Sequence, residues 1–446
     1  GIRPAALHIN EGHPALAIIE RIRALVEGGT GFEEAAERVR ESTIFTTHTP
    51  VLAGTDVYPF PLMEKYFDHY CSRLGIDRDT FLQLGVNPQD PGAGFNMTVF
   101  ALRMTRFSNA VSQRHGEVAR KMWSSLWPDK KVEEVPIAAI TNGVHLPSWI
   151  EPVRLRPLLD RYLGPAWLTD QDRPGIWEMV DEIPDEDLWR LHQRLKGVLT
   201  TRIDEHARAR WQQDKVAACN VIAFGALLDP EILTLGFARR FTGYKRPDLI
   251  LYDLERLKRL LTDPWHPLQI IFAGKAHPAD LEGKRMMQKI FRLAQDPEFA
   301  GRIAFVENYD QQLAEYMVHG VDVWLNNPLP PLEASGTSGM KASVNGIPNL
   351  SILDGWWIEG YNGANGWAFG GEEIQGDRTP ADAEALYHLL EEKVVSLYYQ
   401  RSDDGVPHGF VQVMKAAIKS VAPVFNTRRM VKEYAERFYV QALGLQ

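Results

Sequence analysis

Val321-Asp322-Val323-Trp324-Leu325-Asn326-Asn327-Pro328-Leu329-Pro330-Pro331-Leu332-Glu333-Ala334-Ser335-Gly336-Thr337-Ser338-Gly339-Met340-Lys341 reads as a short apolar strand, a Gly/Ser-rich loop and the first turn of a helix. In an open parallel sheet, ligands collect beyond the carboxyl ends of the strands, and this loop lies there. Gly336 and Gly339 let the backbone approach a ligand closely; Ser335, Thr337 and Ser338 add hydroxyl donors, and a helix start favours an anion. Lys341 falls within that first turn, as either a phosphate contact or a Schiff-base amine. The spacing Gly336-x-x-Gly339-x-Lys341, with no Ser or Thr after the lysine, is not a Walker loop. The plain alternative is a Gly/Ser turn carrying a solvated lysine.

Outward from this segment, short β-branched runs alternate with amphipathic stretches from about residue 233. Strands are expected at residues 233–238, 268–274, 303–306, 321–325 and 349–353. Helices are expected at 247–261 (opened by Pro247), 281–293 and 311–319. Such alternation predicts βαβ units and a mostly parallel sheet. Residues 381–399 and 410–443 read as helices packing back over it. In the first 140 residues, 14–26 and 109–126 read as helical, 42–47 and 135–141 as strands. A proline- and charge-rich stretch, 147–184, separates the regions. The boundary is set near Asn142, giving domains 1–141 and 142–446.

The chain has 446 residues, more than one hydrophobic core usually holds, which favours two domains. With 45% hydrophobic and 24% charged residues the composition is that of an ordinary globular protein. The formal net charge of −9 argues against nucleic acid as a partner, though not against a small basic pocket. No apolar run approaches the ~20 residues of a membrane span. Cys71 and Cys219 are too few for a disulfide framework, so a reducing, cytoplasmic compartment is expected. The chain starts Gly1-Ile2-Arg3-Pro4, without Met or signal pattern, and runs at once into His8-Ile9-Asn10-Glu11-Gly12-His13-Pro14; it reads as a portion of a longer sequence.

Arg239-Arg240-Phe241-Thr242-Gly243-Tyr244-Lys245-Arg246-Pro247 places four cations between a strand end and a proline in a net acidic chain. Guanidinium and ammonium groups in that setting suit phosphate dianions. One such loop would be weak; two in the same sheet suggest a site holding more than one phosphate. Other polar residues are ambiguous singly. His48 ends a strand in Phe45-Thr46-Thr47-His48, and Asn142 follows one in Ile140-Thr141-Asn142-Gly143, where turn chemistry is the ordinary explanation. His8, Glu11 and His13 lack a standard zinc spacing, so no metal is expected. Trp356, Trp357, Tyr361 and Trp367 suit sugar rings or simple packing.

The run from Glu333 to Lys341 closely resembles the cofactor-lysine motif of the glycogen and maltodextrin phosphorylases, and the likeness continues through Asn345-Gly346 to Leu353-Asp354-Gly355. Arg239-Arg240 with Tyr244-Lys245-Arg246 resembles that family's phosphate-binding segment, with Arg239 where the family commonly has lysine. Phe305-Val306-Glu307-Asn308-Tyr309, His13-Pro14-Ala15-Leu16-Ala17 and Phe425-Asn426-Thr427-Arg428-Arg429-Met430 fit as well, in the family's order. Ser338-Gly339 replaces the Gly-Asn of the best-known members, as in the shorter bacterial and archaeal branch, which Trp356-Trp357-Ile358-Glu359-Gly360 also suits.

The resemblance implies an α/β chain of the GT-B type: a Rossmann-like, parallel-sheet C-terminal domain with part of a second α/β domain. It implies pyridoxal 5'-phosphate held by Lys341, with Arg239, Gly336, Thr337 and Ser338 around the cofactor's phosphate. Arg240 and Lys245 would bind inorganic phosphate. His48 would position the sugar, and Asn142, Tyr244, Glu333 and Ser335 would bind glucose hydroxyls. The implied reaction is retaining phosphorolysis of an α-1,4-glucan to α-glucose 1-phosphate, without the paired carboxylates of common glycosidases. Oligomerisation is a family expectation. The family's N-terminal portion, with a glycine-rich loop and further sugar and cofactor contacts, is not within these residues, so the isolated chain is expected to be inactive or weakly active. A nucleotide-sugar glycosyltransferase would carry a second acidic residue where Lys341 stands; a non-catalytic glucan-binding protein is the remaining alternative.

Overall fold

In the computed structural model, residues 4–214, 217–370 and 376–444 are described. The chain divides into two compact units. Unit 1 comprises 1–142, 331–335 and 430–446; unit 2 comprises 143–330 and 336–429.

Unit 1 is built on four parallel strands, β1 (Leu7–Asn10), β2 (Thr43–Thr46), β5 (Phe107–Ala110) and β6 (Ile137–Ala139), in the order β1-β2-β5-β6. A two-residue antiparallel pairing of β3 (Val57–Tyr58) with β4 (Phe95–Asn96) lies outside this sheet. The helices Leu16–Glu27, Phe60–Leu74 and Gln113–Trp123 bury Ile18, Ile22, Met63 and Trp123 with Phe45, Phe95 and Phe100. The expected helix at 109–126 begins later: Asn109 and Ala110 belong to β5, and Ser112 caps the helix through its Oγ on the His115 amide at 3.0 Å. Asn109 is tolerated in a strand because its side chain is bonded within the buried layer, to Tyr434 Oη at 2.9 Å and Ala110 O at 3.0 Å.

Unit 2 carries six parallel strands: β7 (Leu233–Ala238), β8 (Leu268–Ala273), β9 (Ile303–Val306), β10 (Val323–Asn326), β11 (Asn349–Ile352) and β12 (Gly366–Phe369). Their order is β12-β11-β10-β7-β8-β9. Read from β9, this is the 3-2-1-4-5-6 arrangement of a doubly wound sheet, as the GT-B expectation requires. Every residue of β7, β8, β9, β10 and β11 is buried, as in a parallel sheet covered on both faces. The expected strands at 233–238, 268–274, 303–306, 321–325 and 349–353 all occur within a residue or two, and β12 is a sixth that the periodicity missed. Pro247 does not open a continuous helix. Two 3₁₀ turns, Gly243–Lys245 and Leu249–Leu251, come first, and the helix Leu254–Thr262 starts where Asp253 accepts the Arg256 amide at 2.9 Å.

The long helix Asp185–Asp214 is fastened to unit 2's sheet by buried ions. Lys196 Nζ donates to Asp322 Oδ2 (2.5 Å), Ile232 O (2.5 Å) and Tyr398 Oη (3.0 Å). His192 Nε2 bonds Asp322 Oδ1 at 2.7 Å, and the Thr234 amide donates to Oδ2 at 2.7 Å. Asp322 precedes β10, so this fastening is at the amino edge of the sheet. Lys196 and His192 together hold its carboxyl below the usual range, against the opposing effect of burial. No helix among the described residues is long and apolar enough to cross a membrane.

Candidate functional site

In a sheet of this order the strand sequence reverses between β7 and β10, and the crevice beyond their carboxyl ends is where ligands lie. Arg239 to Pro247 leave β7, and Asn327 to Ser343 follow β10. The two basic or glycine-rich segments singled out in the sequence therefore flank the one switch point of the unit 2 sheet.

Arg239 continues the β7 ladder, its amide donating to Ala273 O at 3.2 Å, and its side chain is buried. Its carbonyl passes so close to Gly274 that a Cβ there would lie 2.0 Å from the oxygen; only glycine fits. Arg240 points to solvent. Lys245 is buried, with Nζ 4.6 Å from the centroid of the Tyr244 ring. Tyr309, following β9, has its phenol pushed up to about 12 by burial, with Arg239 pulling the other way.

After β10 the chain reaches Gly336, whose φ of +86° is a left-handed conformation suited to glycine, and enters the seven-residue helix Thr337–Ser343. Ser338 Oγ accepts from Trp324 Nε1 at 3.2 Å. Lys341 is half-buried with Nζ 3.7 Å from the centroid of Trp149; among the described residues it has no acidic partner. Burial lowers its pKa. Sequence reasoning did not single out Trp149. Its carbonyl accepts from Asn345 Nδ2 (2.7 Å) and His319 Nε2 (2.9 Å), so the indole under the amine is held by two side chains. Nearby at the sheet edge, Asn326 Oδ1, Asn327 Oδ1 and Arg246 Nη1 are buried without a hydrogen-bond partner among the described residues.

The remaining predicted residues belong to unit 1, at the carboxyl edge of its own sheet. His48 follows β2; its amide donates to Glu11 Oε1 and its Nε2 bonds Asn10 Oδ1 at 2.9 Å. Glu11, at φ +61° just after β1, also accepts from Thr49 Oγ1 at 3.0 Å. Nothing in the sequence singled Glu11 out for this, since it lies 37 residues from His48. Burial holds the His48 pKa below the ordinary value, Glu11 opposing. The neighbouring His8 and His115 are lowered by burial to about 4 and are neutral at pH 7. Asn142 follows β6, its amide donating to Val111 O at 3.1 Å. Glu333 and Ser335 lie in the 331–335 segment that groups with this unit, and Ser112 Oγ pins it by donating to Ala334 O at 2.6 Å. Both are buried, and Ser335 Oγ has no hydrogen-bond partner among the described residues.

Each sheet thus gathers one chemically coherent set. Unit 2 collects cations and an amine; unit 1 collects uncharged and carboxylate hydrogen-bonding groups. Among the described residues no cluster of three or more His, Cys, Asp or Glu could hold a metal ion.

A protein named glycogen phosphorylase from Aquifex aeolicus (strain VF5) is 53% identical over 443 residues, 99% of this chain and 63% of that protein. Maltodextrin phosphorylase from Thermococcus litoralis is 45% identical over 447 residues, 100% of this chain and 52% of its own length. Glycogen phosphorylase from Mycobacterium bovis is 41% identical over 449 residues, 98% of this chain and 51% of its own. The chain therefore spans between half and two-thirds of the length of these relatives. The phosphorylase family, described as carbohydrate phosphorylase, matches residues 3–373. The chain belongs to the carbohydrate phosphorylase family.

Proposed function

We propose that this chain carries the cofactor and phosphate half of an α-1,4-glucan phosphorylase, a hexosyltransferase that splits glucan chain ends with inorganic phosphate to give α-glucose 1-phosphate. The observation that carries the reading is Lys341: a half-buried amine on the Trp149 ring, beside the switch point, with no acidic partner among the described residues. In this reading residues 1–141 are the remaining part of the family's N-terminal domain and 142–446 its C-terminal domain, and the protein is cytoplasmic.

The residues present fit pyridoxal 5'-phosphate. Burial lowers the Lys341 pKa and so favours the neutral amine, the form that adds to an aldehyde. When bound, the cofactor supplies a phosphate group able to exchange a proton with inorganic phosphate. Arg239 and the Gly336-Thr337-Ser338 turn bind that phosphate, and Arg240 and Lys245 bind the inorganic one. Two like-charged anions repel at close range, and these cations offset the repulsion. Asn142, Tyr244, Glu333 and Ser335 would bind glucose hydroxyls, and His48 would position the sugar. The glycosidic C–O bond breaks as its oxygen takes a proton from inorganic phosphate; a phosphate oxygen then bonds the same face of C1, which retains configuration.

Peptide mass spectrometry after incubation with pyridoxal phosphate and borohydride reduction tests this. A pyridoxyl group on Lys341 alone is expected, and its loss in Lys341→Ala. The same test is made on the full-length protein; an unlabelled Lys341 there, or turnover of a nucleotide sugar in place of glucose 1-phosphate formation, rejects the assignment.

A further inference from the structure

The two loops at the switch point are pinned to each other by one buried side chain. Arg246 has φ +43°, a left-handed conformation that is strained for a non-glycine residue and persists only where its surroundings demand it. From the β7 loop its guanidinium crosses to the β10 loop, Nε donating to Asn327 O at 2.9 Å and Nη2 to Pro328 O at 3.1 Å. The β10 loop answers: Leu329 N donates to Tyr244 O at 2.7 Å and Asn327 Nδ2 to Arg246 O at 3.4 Å. Nη2 also reaches Asp382 Oδ2 at 2.7 Å. Arg378 grips the same carboxylate through Nε–Oδ2 at 2.8 Å and Nη2–Oδ1 at 3.1 Å. Arg246, Asp382 and Arg378 are 8%, 1% and 9% exposed.

A buried arrangement of two guanidiniums on one carboxylate is a poor way to gain stability, since apolar residues of similar volume often do as well or better. What it supplies is geometry. A planar fork with several fixed donors sets both the distance and the angle between two carbonyl-bearing loops, which a lysine cannot do. Tyr244 and Lys245 lie on the same turn as Arg246, and the β10 loop leads into the helix of Lys341.

We propose that Arg246, oriented by Asp382 and Arg378, is a positioning residue that locks the β7 and β10 loops in register so that Arg240 and Lys245 converge on inorganic phosphate. This rests on the reading above that the β7 loop binds phosphate. Misplacement of reacting groups by about 1 Å lowers function on the order of a hundredfold, so a clamp of this kind acts without touching substrate.

Arg246→Lys and Asp382→Asn in the full chain separate positioning from mere charge. Lysine keeps the positive charge but loses the fork; asparagine leaves the arginine charge less neutralised. If Arg246 positions, both variants weaken orthophosphate binding, measured by titration calorimetry, at least tenfold. Both also speed hydrogen exchange at the Leu329 amide at least tenfold, with far-UV circular dichroism and Lys341 labelling unchanged. If Arg246→Lys binds orthophosphate like the unsubstituted chain, or Asp382→Asn binds it more tightly, the arginine acts through charge and the proposal is overturned. Should Asp382→Asn fail to fold, Arg378→Lys loosens the same carboxylate while leaving the Arg246 contacts in place. A two- to threefold weakening is then expected, and unchanged affinity overturns the clamp. An unsubstituted chain that binds no orthophosphate counts against the phosphorolytic reading instead, and exchange at Leu329 still decides the clamp.

Discussion

The two edges of the six-stranded sheet bury ionic groups in opposite ways. At the amino edge, both Asp322 oxygens are bonded, by Lys196, His192 and the Thr234 amide, and Lys196 in turn has three acceptors. At the carboxyl edge, Arg246 Nη1, Asn326 Oδ1 and Asn327 Oδ1 are buried yet unpaired among the described residues. A closed network has nothing left to offer a ligand, whereas unsatisfied groups at a switch point have capacity in hand. The difference separates an edge closed on itself from one where polar atoms are left over beside the paired ones.

Breaking the closed end has the largest expected effect on stability. Asp322→Ala leaves Lys196 buried without its carboxylate and is expected to cost about 3–5 kcal/mol, read from urea unfolding with an unchanged slope. A loss below about 1 kcal/mol would show that the amino edge is no fastener. Because the folded Asp322 pKa is lowered, its contribution is fully present above the unfolded value of about 3.9. It is lost as pH falls through the folded one, so Asp322→Asn flattens the acid limb of the stability profile below about pH 4.

The open end should respond the other way. Arg240 is exposed, so Arg240→Gln is expected to leave stability within about 0.5 kcal/mol. It should weaken orthophosphate binding at least tenfold, about 1.4 kcal/mol; a stability loss without an affinity loss would erase the contrast between edges. The smallest effect expected is in unit 1. Ser112 both caps a helix and holds Ala334, and Ser112→Ala is expected to cost about 1 kcal/mol. Hydrogen exchange in peptides covering 331–335 should rise with it; unaltered exchange there would reduce Ser112 to a cap.

Much of this was legible in the sequence. The strands β7 to β11 announce themselves as apolar runs spaced by amphipathic helices, and the cations of 239–246 and the Gly/Ser loop before Lys341 are contiguous words. What stayed hidden follows from distance and from disguise. β1 and β5 carry His8, Asn10 and Asn109, polar residues that break the expected pattern because partners far along the chain satisfy them. β12 is four residues opening on Gly366, too short for a period to show. The Arg246–Asp382 pair spans 136 residues, and Glu11 meets His48 across 37; no local spacing signals either.

His8 lies in the first strand of unit 1, yet its ring nitrogens bond Thr46 Oγ1 and Tyr439 Oη, both at 2.7 Å, and Tyr439 is 431 residues away. During synthesis on a ribosome, unit 2 has all of its residues once Arg429 has emerged, but unit 1 still lacks 430–446. Of these two units, the one whose residues begin first is therefore the one completed last. Until Tyr434 and Tyr439 arrive, the layer around Ile44 and Ile140 lacks the cover of residues 430–442, and a nascent chain presents that apolar, strand-bearing surface while residues 143–429 are made. Chaperone capture of a chain stalled before Tyr434 is thus expected at residues 1–142 rather than at 143–429.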